Sequence, residues 1–394
     1  MPAVQWAGGN PSFLPRPGLE DLIATLRQEG YTVVGPKAAD GVISVQPITS
    51  AQDLPHGVQD DQEAGSYRLI EGDPELCFQY VVGADGPKRY LLPPVLRLFS
   101  LSAKPDYFAL QEGPPAAPKL AFLGIRPCEV AAMAIQDRVF GTRETGRFRC
   151  EADSYYQETR REALVIAVQC IRPGRNCFCS SMGTGPVARE GFDLALTELR
   201  GGFVLEVGSP RGKELVGRLP VREPTSAELE LAELRREFAA TSMTKQLDTQ
   251  DLAEILHKAV EHPHWDEVAK RCLGCGNCTQ VCPTCFCSTV VDSTALTGDM
   301  TSRTRYWESC FTHQFSYTTA GPVRSTIRAR YRHWLSHKLS TWYEQFGSSG
   351  CVGCGRCITW CPAKIDITEE AAAIRGDGHW YAAASPQTGR GVVV

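Results

Sequence analysis

Four cysteines stand in the order Cys272-x2-Cys275-x2-Cys278-x3-Cys282, followed by Pro283, and the pattern returns 79 residues later as Cys351-x2-Cys354-x2-Cys357-x3-Cys361, followed by Pro362. No other feature of this chain restricts its fold so severely. Two-residue gaps let three thiolates wrap one corner of a cubane from a single tight loop, and the fourth thiolate must come from elsewhere in the chain. In two-cluster ferredoxins the fourth cysteine of each run ligates the other cluster. That rule assigns Cys272, Cys275, Cys278 and Cys361 to one 4Fe-4S cluster, and Cys351, Cys354, Cys357 and Cys282 to a second. Zinc usually takes paired C-x2-C hooks rather than a four-cysteine run. Gly274, Gly276, Gly353 and Gly355 suit loops whose backbone passes close to a bound cluster.

The chain has 17 cysteines, so nine remain. No basic, then apolar, leader is visible at the N-terminus, and no apolar run is long enough to span a bilayer. The expected compartment is therefore the cytoplasm, where clustered thiols read as metal ligands rather than a disulfide framework. Cys128 follows the strand-like run Leu120 to Leu123 and precedes a helical pattern over Val130 to Val139. Cys170 ends another apolar strand, Leu164 to Gln169, and Cys177 and Cys179 follow shortly. Doubly wound α/β domains bind ligands at the C-terminal ends of their strands. Cys128, Cys170, Cys177 and Cys179 are thus candidates for a third iron–sulfur cluster, against the alternative of buried structural cysteines. Cys285, Cys287 and Cys310 either shield the neighbouring clusters or form a further site. Cys77 and Cys150 read as core or surface residues.

At 394 residues the chain exceeds one comfortable core. The expected fold is an α/β N-terminal region, residues 1–221, followed by a polar helical connector at 222–262. A mainly helical two-cluster ferredoxin domain at 263–381 and a tail at 382–394 complete the chain. Strands are expected at Tyr31 to Val34, Val42 to Val45, Phe78 to Val82 and Phe203 to Val207. Between the cysteine runs, Ile327, Tyr331, Trp334, Leu335 and Trp342 recur at helical spacing. Arg324, Arg328 and Arg332 recur there at steps of four, with Arg330 and Lys338 nearby, either as cations lining the anionic clusters, as a docking stripe for an acidic partner, or as a solvated face.

A formal net charge of -4 argues against a general nucleic-acid or membrane-surface binder. The chain has no G-x-G-x-x-G, Walker lysine, G-x-S-x-G or H-E-x-x-H motif. Rich in ligands and poor in substrate machinery, it reads as a relay between partner subunits with no substrate chemistry of its own. Cys272 to Cys287, Trp307 to Phe311, Arg330 to Trp334 with His337 and Lys338, and Gly350 through Asp366 resemble a known family. It comprises the β subunit of cytoplasmic sulfhydrogenases (NAD(P)-linked nickel–iron hydrogenases) and its relative, the A subunit of anaerobic sulfite reductase. The segments around Cys128 and Cys177 share the likeness, which spans about residues 119 to 370. The resemblance implies a complex in which a flavin subunit exchanges electrons with NAD(P)H and this chain relays them to or from the small and large hydrogenase subunits. The sulfite-reductase relative would feed a siroheme subunit instead. An enzyme using a catalytic iron–sulfur site for sulfur or disulfide chemistry is the alternative from another class.

Overall fold

A computed structural model describes residues 10–104, 106–145 and 148–376. The N-terminal region is built on a seven-stranded sheet. From edge to edge its strands are Ser12–Pro15, Gly202–Val207, Leu194–Leu199, Leu164–Val168, Leu120–Ile125, Thr32–Ala39 and Val42–Pro47. The pairs from Leu194–Leu199 to Thr32–Ala39 are parallel, and the strands at both edges join antiparallel. Leu120–Ile125 and Leu164–Val168 are buried at every position, as expected of parallel strands covered on both faces. The helix Gly18–Gln28 covers one face through Leu19, Leu22, Ile23 and Leu26. Pro127–Phe140 and Ser154–Glu162 cover the other through Val130, Met133 and Tyr156.

The expected strand Phe78 to Val82 is a buried irregular segment instead. Side chains replace the missing ladder: the Glu198 carboxylate accepts from the Cys77 and Phe78 amides, and Asp60 accepts from Val81. Cys77 itself donates its thiol to Glu198 and is a core residue, whereas Cys150 is exposed.

The connector contains the helices Ser226–Thr241 and Leu252–Lys258. Thr225 caps the first, its hydroxyl accepting from the Glu228 amide while the Glu228 carboxylate accepts from the Thr225 amide. Beyond it, His264–Arg271, Ile327–Ser336, a π-turn at His337–Thr341 and Ile367–Gly376 surround an aromatic core of Trp265, Phe311, Tyr331 and Trp334, and Trp342–Phe346 packs on Phe286 instead.

The ferredoxin segment is only partly helical. A long hairpin, Ser288–Thr294 with Met300–Trp307, leaves it and pairs antiparallel with Val95–Ala103. With Phe108–Glu112 these strands make a four-stranded sheet drawn from both ends of the chain. The expected tail at 382–394 lies outside the described residues.

Candidate metal centres

Each cysteine run folds into the same object. In the first, Gly274 and Gly276 hold φ of +63° and +79°, and a short helix, Asn277–Gln280, follows. In the second, Gly353 and Gly355 hold +63° and +76°, and Arg356–Thr359 follows. These left-handed turns suit glycine and turn the loop amides inward. The Gly274 amide points to Cys272 Sγ and the Gly353 amide to Cys351 Sγ, each at 3.4 Å. Such N–H to sulfur bonds orient and tune thiolate ligands.

Cys272, Cys275, Cys278 and Cys361 line one cavity, roofed by Phe311, Tyr331 and Trp334. Cys361, from the second run, thus meets three cysteines of the first, and Cys357 reaches the same cavity. Cys351, Cys354 and Cys282 are buried, and burial, then the charges of Cys351, Cys354 and Cys282, pushes the Cys357 thiol upward. Burial likewise pushes Cys351 to about 12. Thiols that resist ionisation alone are still deprotonated outright when they bind metal, so the donor set fits a cluster. Among the described residues no three His, Cys, Asp or Glu side chains are placed to chelate a single ion, and an iron–sulfur cubane holds its thiolates apart by its own bulk.

The two sites differ in surroundings. Cys275 is exposed and its neighbours Cys272, Cys278 and Cys361 are half-buried. In the second set Cys357 is half-buried, and Cys282, Cys351 and Cys354 lie inside, against the α/β region. Arg356, 2 % exposed, donates to the carbonyls of Gly83 and Asp85 at 2.8 and 2.9 Å and pairs with Glu129 at 2.5 Å. The Phe178 amide donates to Gly353 O at 2.8 Å.

That contact brings in the third set of cysteines. Cys128 sits in the first turn of the helix after the strand Leu120–Ile125, and Cys170 follows the adjacent parallel strand Leu164–Val168. Both therefore lie beyond the C-terminal ends of neighbouring strands, where α/β sheets place ligands. Cys128, Cys177 and Cys179 pack in one buried cluster with Cys354, and Cys170 is near enough to act on Cys177 and Cys179 electrostatically. Burial, then the charge of Cys170, raises Cys177 to about 12. The four candidates are thus gathered in one place, next to the second ferredoxin set.

Cys285, Cys287 and Cys310 fill the gap between the runs. Cys282 accepts a hydrogen bond from Cys285, and Cys287 accepts one from Cys310, which lowers Cys287 to about 7 despite burial. Two buried lysines close over this turn. Lys338 Nζ lies 3.0 Å from Cys282 Sγ, and Lys88 Nζ donates to Gln280 O at 3.0 Å while lying 4.0 Å from the centre of the Trp307 ring.

The arginine stripe takes other partners. Arg328 bonds Glu261 and Asp266, Arg332 bonds Glu261 and the Val260 carbonyl, and Arg324 bonds Ser316. Lys338, by contrast, places its ammonium 3.0 Å from the sulfur of Cys282. Sequence spacing puts this lysine only near the arginine stripe; the π-turn at His337–Thr341 shifts the phase of the helix and turns Lys338 inward.

Residues 271–365 match the family model of the 4Fe-4S dicluster domain, which makes this an iron–sulfur protein of the two-cluster ferredoxin class. Over 304 residues the chain is 32 % identical to sulfhydrogenase 2 subunit beta of Pyrococcus furiosus, an alignment covering 76 % of this chain and 86 % of that protein. The chain belongs to the family of sulfhydrogenase β subunits. No solved structure matches it. No helix among the described residues is long and apolar enough to cross a membrane.

Proposed function

We propose that this chain is the iron–sulfur relay of a cytoplasmic hydrogenase complex, passing single electrons between a flavin subunit that reacts with NAD(P)H and the small and large subunits of a nickel–iron hydrogenase. The ferredoxin unit, residues 263–381, carries one cluster on Cys272, Cys275, Cys278 and Cys361 and a second on Cys351, Cys354, Cys357 and Cys282. The α/β unit, residues 1–221, carries a third on Cys128, Cys170, Cys177 and Cys179, and residues 222–262 connect the two. The observation that carries this reading is the succession of thiol sets. An exposed set at Cys275 adjoins a buried set, and Cys354 of that set packs against Cys128, Cys177 and Cys179. A line of neighbouring redox centres with no substrate motif between them is suited to conduction and to little else. The name of the Pyrococcus relative favours hydrogenase over sulfite reductase as the outlet.

The purified single chain, free of flavin, should not be bleached by NADPH. Adding the flavin subunit should restore reduction, and dihydrogen should bleach the chain once the hydrogenase subunits are present. Rapid bleaching of the lone chain by NADPH overturns the relay reading.

A further inference from the structure

The duplication supplies an internal comparison. Both cysteine loops share their glycine conformations and the 3.4 Å amide–sulfur bond. They part at the fourth cysteine of each run. Cys361 Sγ is approached by a backbone amide, that of Ile365 at 3.3 Å. Cys282, its counterpart 79 residues earlier, is approached by an ammonium group. Lys338 is 3 % exposed, and its Nζ lies 3.0 Å from Cys282 Sγ, 3.1 Å from Thr284 Oγ1 and 3.1 Å from the Gly350 carbonyl. Thr284 Oγ1 is itself 3.1 Å from Cys282 Sγ and donates to Gly350 O at 2.6 Å. All three polar partners therefore hold the ammonium in one place, and the π-turn fixes its backbone. A buried lysine is seldom tolerated without a specific anionic partner.

We propose that Lys338 is a positioning residue that sets the reduction potential of the second cluster, by donating a charge-assisted hydrogen bond to the Cys282 thiolate. This inference rests on reading Cys282 as a cluster ligand. Reduction adds negative charge to the cluster and its ligand sulfurs. The second set is the more deeply buried of the two, and burial alone makes that added charge harder to accommodate than at the exposed first set. Lys338 opposes this penalty at one ligand of one site. The interior site thereby stays reducible by its neighbour, and electrons can pass inward. Salt cannot screen a contact so enclosed.

The test is a redox titration followed by electron paramagnetic resonance on the anaerobically purified full chain, with iron content measured in parallel. In Lys338→Met one reductive wave should move to lower potential by at least tenfold in its equilibrium constant, about 59 mV, while the others stay. Lys338→Arg should retain most of the wild-type value. Thr284→Val, which removes the hydroxyl but keeps the charge, should move the same wave in the same direction by less, and it decides the matter if Lys338→Met does not fold. Unmoved waves at wild-type iron content, or all waves falling together, overturn the role of Lys338. Wild-type protein with fewer than about six irons overturns the two-cluster reading itself.

Discussion

Gly353 and Gly274 occupy equivalent places in the two loops with the same φ of +63°, yet they should respond to substitution very differently. A Cβ at Gly274 would meet nothing closer than Ile327 at 3.8 Å. A Cβ at Gly353 would lie 2.6 Å from Phe178 O and 2.7 Å from the Cys179 Cα and N, all backbone atoms that no rotamer change can move. Placing alanine in the left-handed region costs about 1–2 kcal/mol at either site. Overpacking adds about 1–3 kcal/mol at Gly353 alone. Whatever a bound cluster contributes is the same in both loops, because the loops repeat. Gly353→Ala should therefore be less stable than Gly274→Ala by about 2 kcal/mol, or several degrees in thermal midpoint. Anaerobic melts at one scan rate, followed by visible absorbance and circular dichroism, measure the difference. The greater part of the loss at Gly353 should appear as loosening of the Cys177–Cys179 loop. Equal shifts in the two variants, or a larger one at Gly274, refute the packing of the second loop against the α/β region.

Further outcomes follow from the same geometry. Arg356→Met leaves Glu129 buried without its partner and should destabilise by about 3–5 kcal/mol; adding Glu129→Leu should recover part of that loss in a denaturant double-mutant cycle. Cys177→Ser should lower iron by about four per chain without unfolding the protein, and unchanged iron would leave Cys128, Cys170, Cys177 and Cys179 as structural residues. His333 is held neutral, at about 4, by burial and then by Arg324, His337 and Arg332. A base whose folded value lies below its unfolded value of 6.5 takes up a proton on unfolding. Its contribution to stability is thus present above pH 6.5 and lost as pH falls towards 4, and His333→Gln should flatten the stability profile across that window.

Much of this was legible in the residues. The apolar runs Leu120 to Leu123 and Leu164 to Gln169 read as strands, and their ends located Cys128, Cys170 and the loop after them. The repeated cysteine runs defined the ferredoxin site because a ligand set is a local pattern. What could not be read depended on distant partners. The strands Val95–Ala103 and Met300–Trp307 pair across some two hundred residues of sequence, and much of that sheet is exposed, so neither shows a clean apolar alternation. Phe78 to Val82 has strand composition, but the carboxylates of Glu198 and Asp60 take its amides instead of a neighbouring strand. Lys338 was legible only as one cation beside the arginine stripe: steps of four picked out the arginines, and spacing does not show the π-turn that carries Lys338 to Cys282.

The central claim is that this chain holds cubane clusters on both ferredoxin runs. Iron and acid-labile sulfide should be determined together with the Mössbauer spectrum of the anaerobically purified, iron-57-enriched protein. The account predicts at least about eight irons per chain, and about twelve with the third site loaded, all in cubane environments. Fewer than about six irons, or iron bound without labile sulfide, would contradict it.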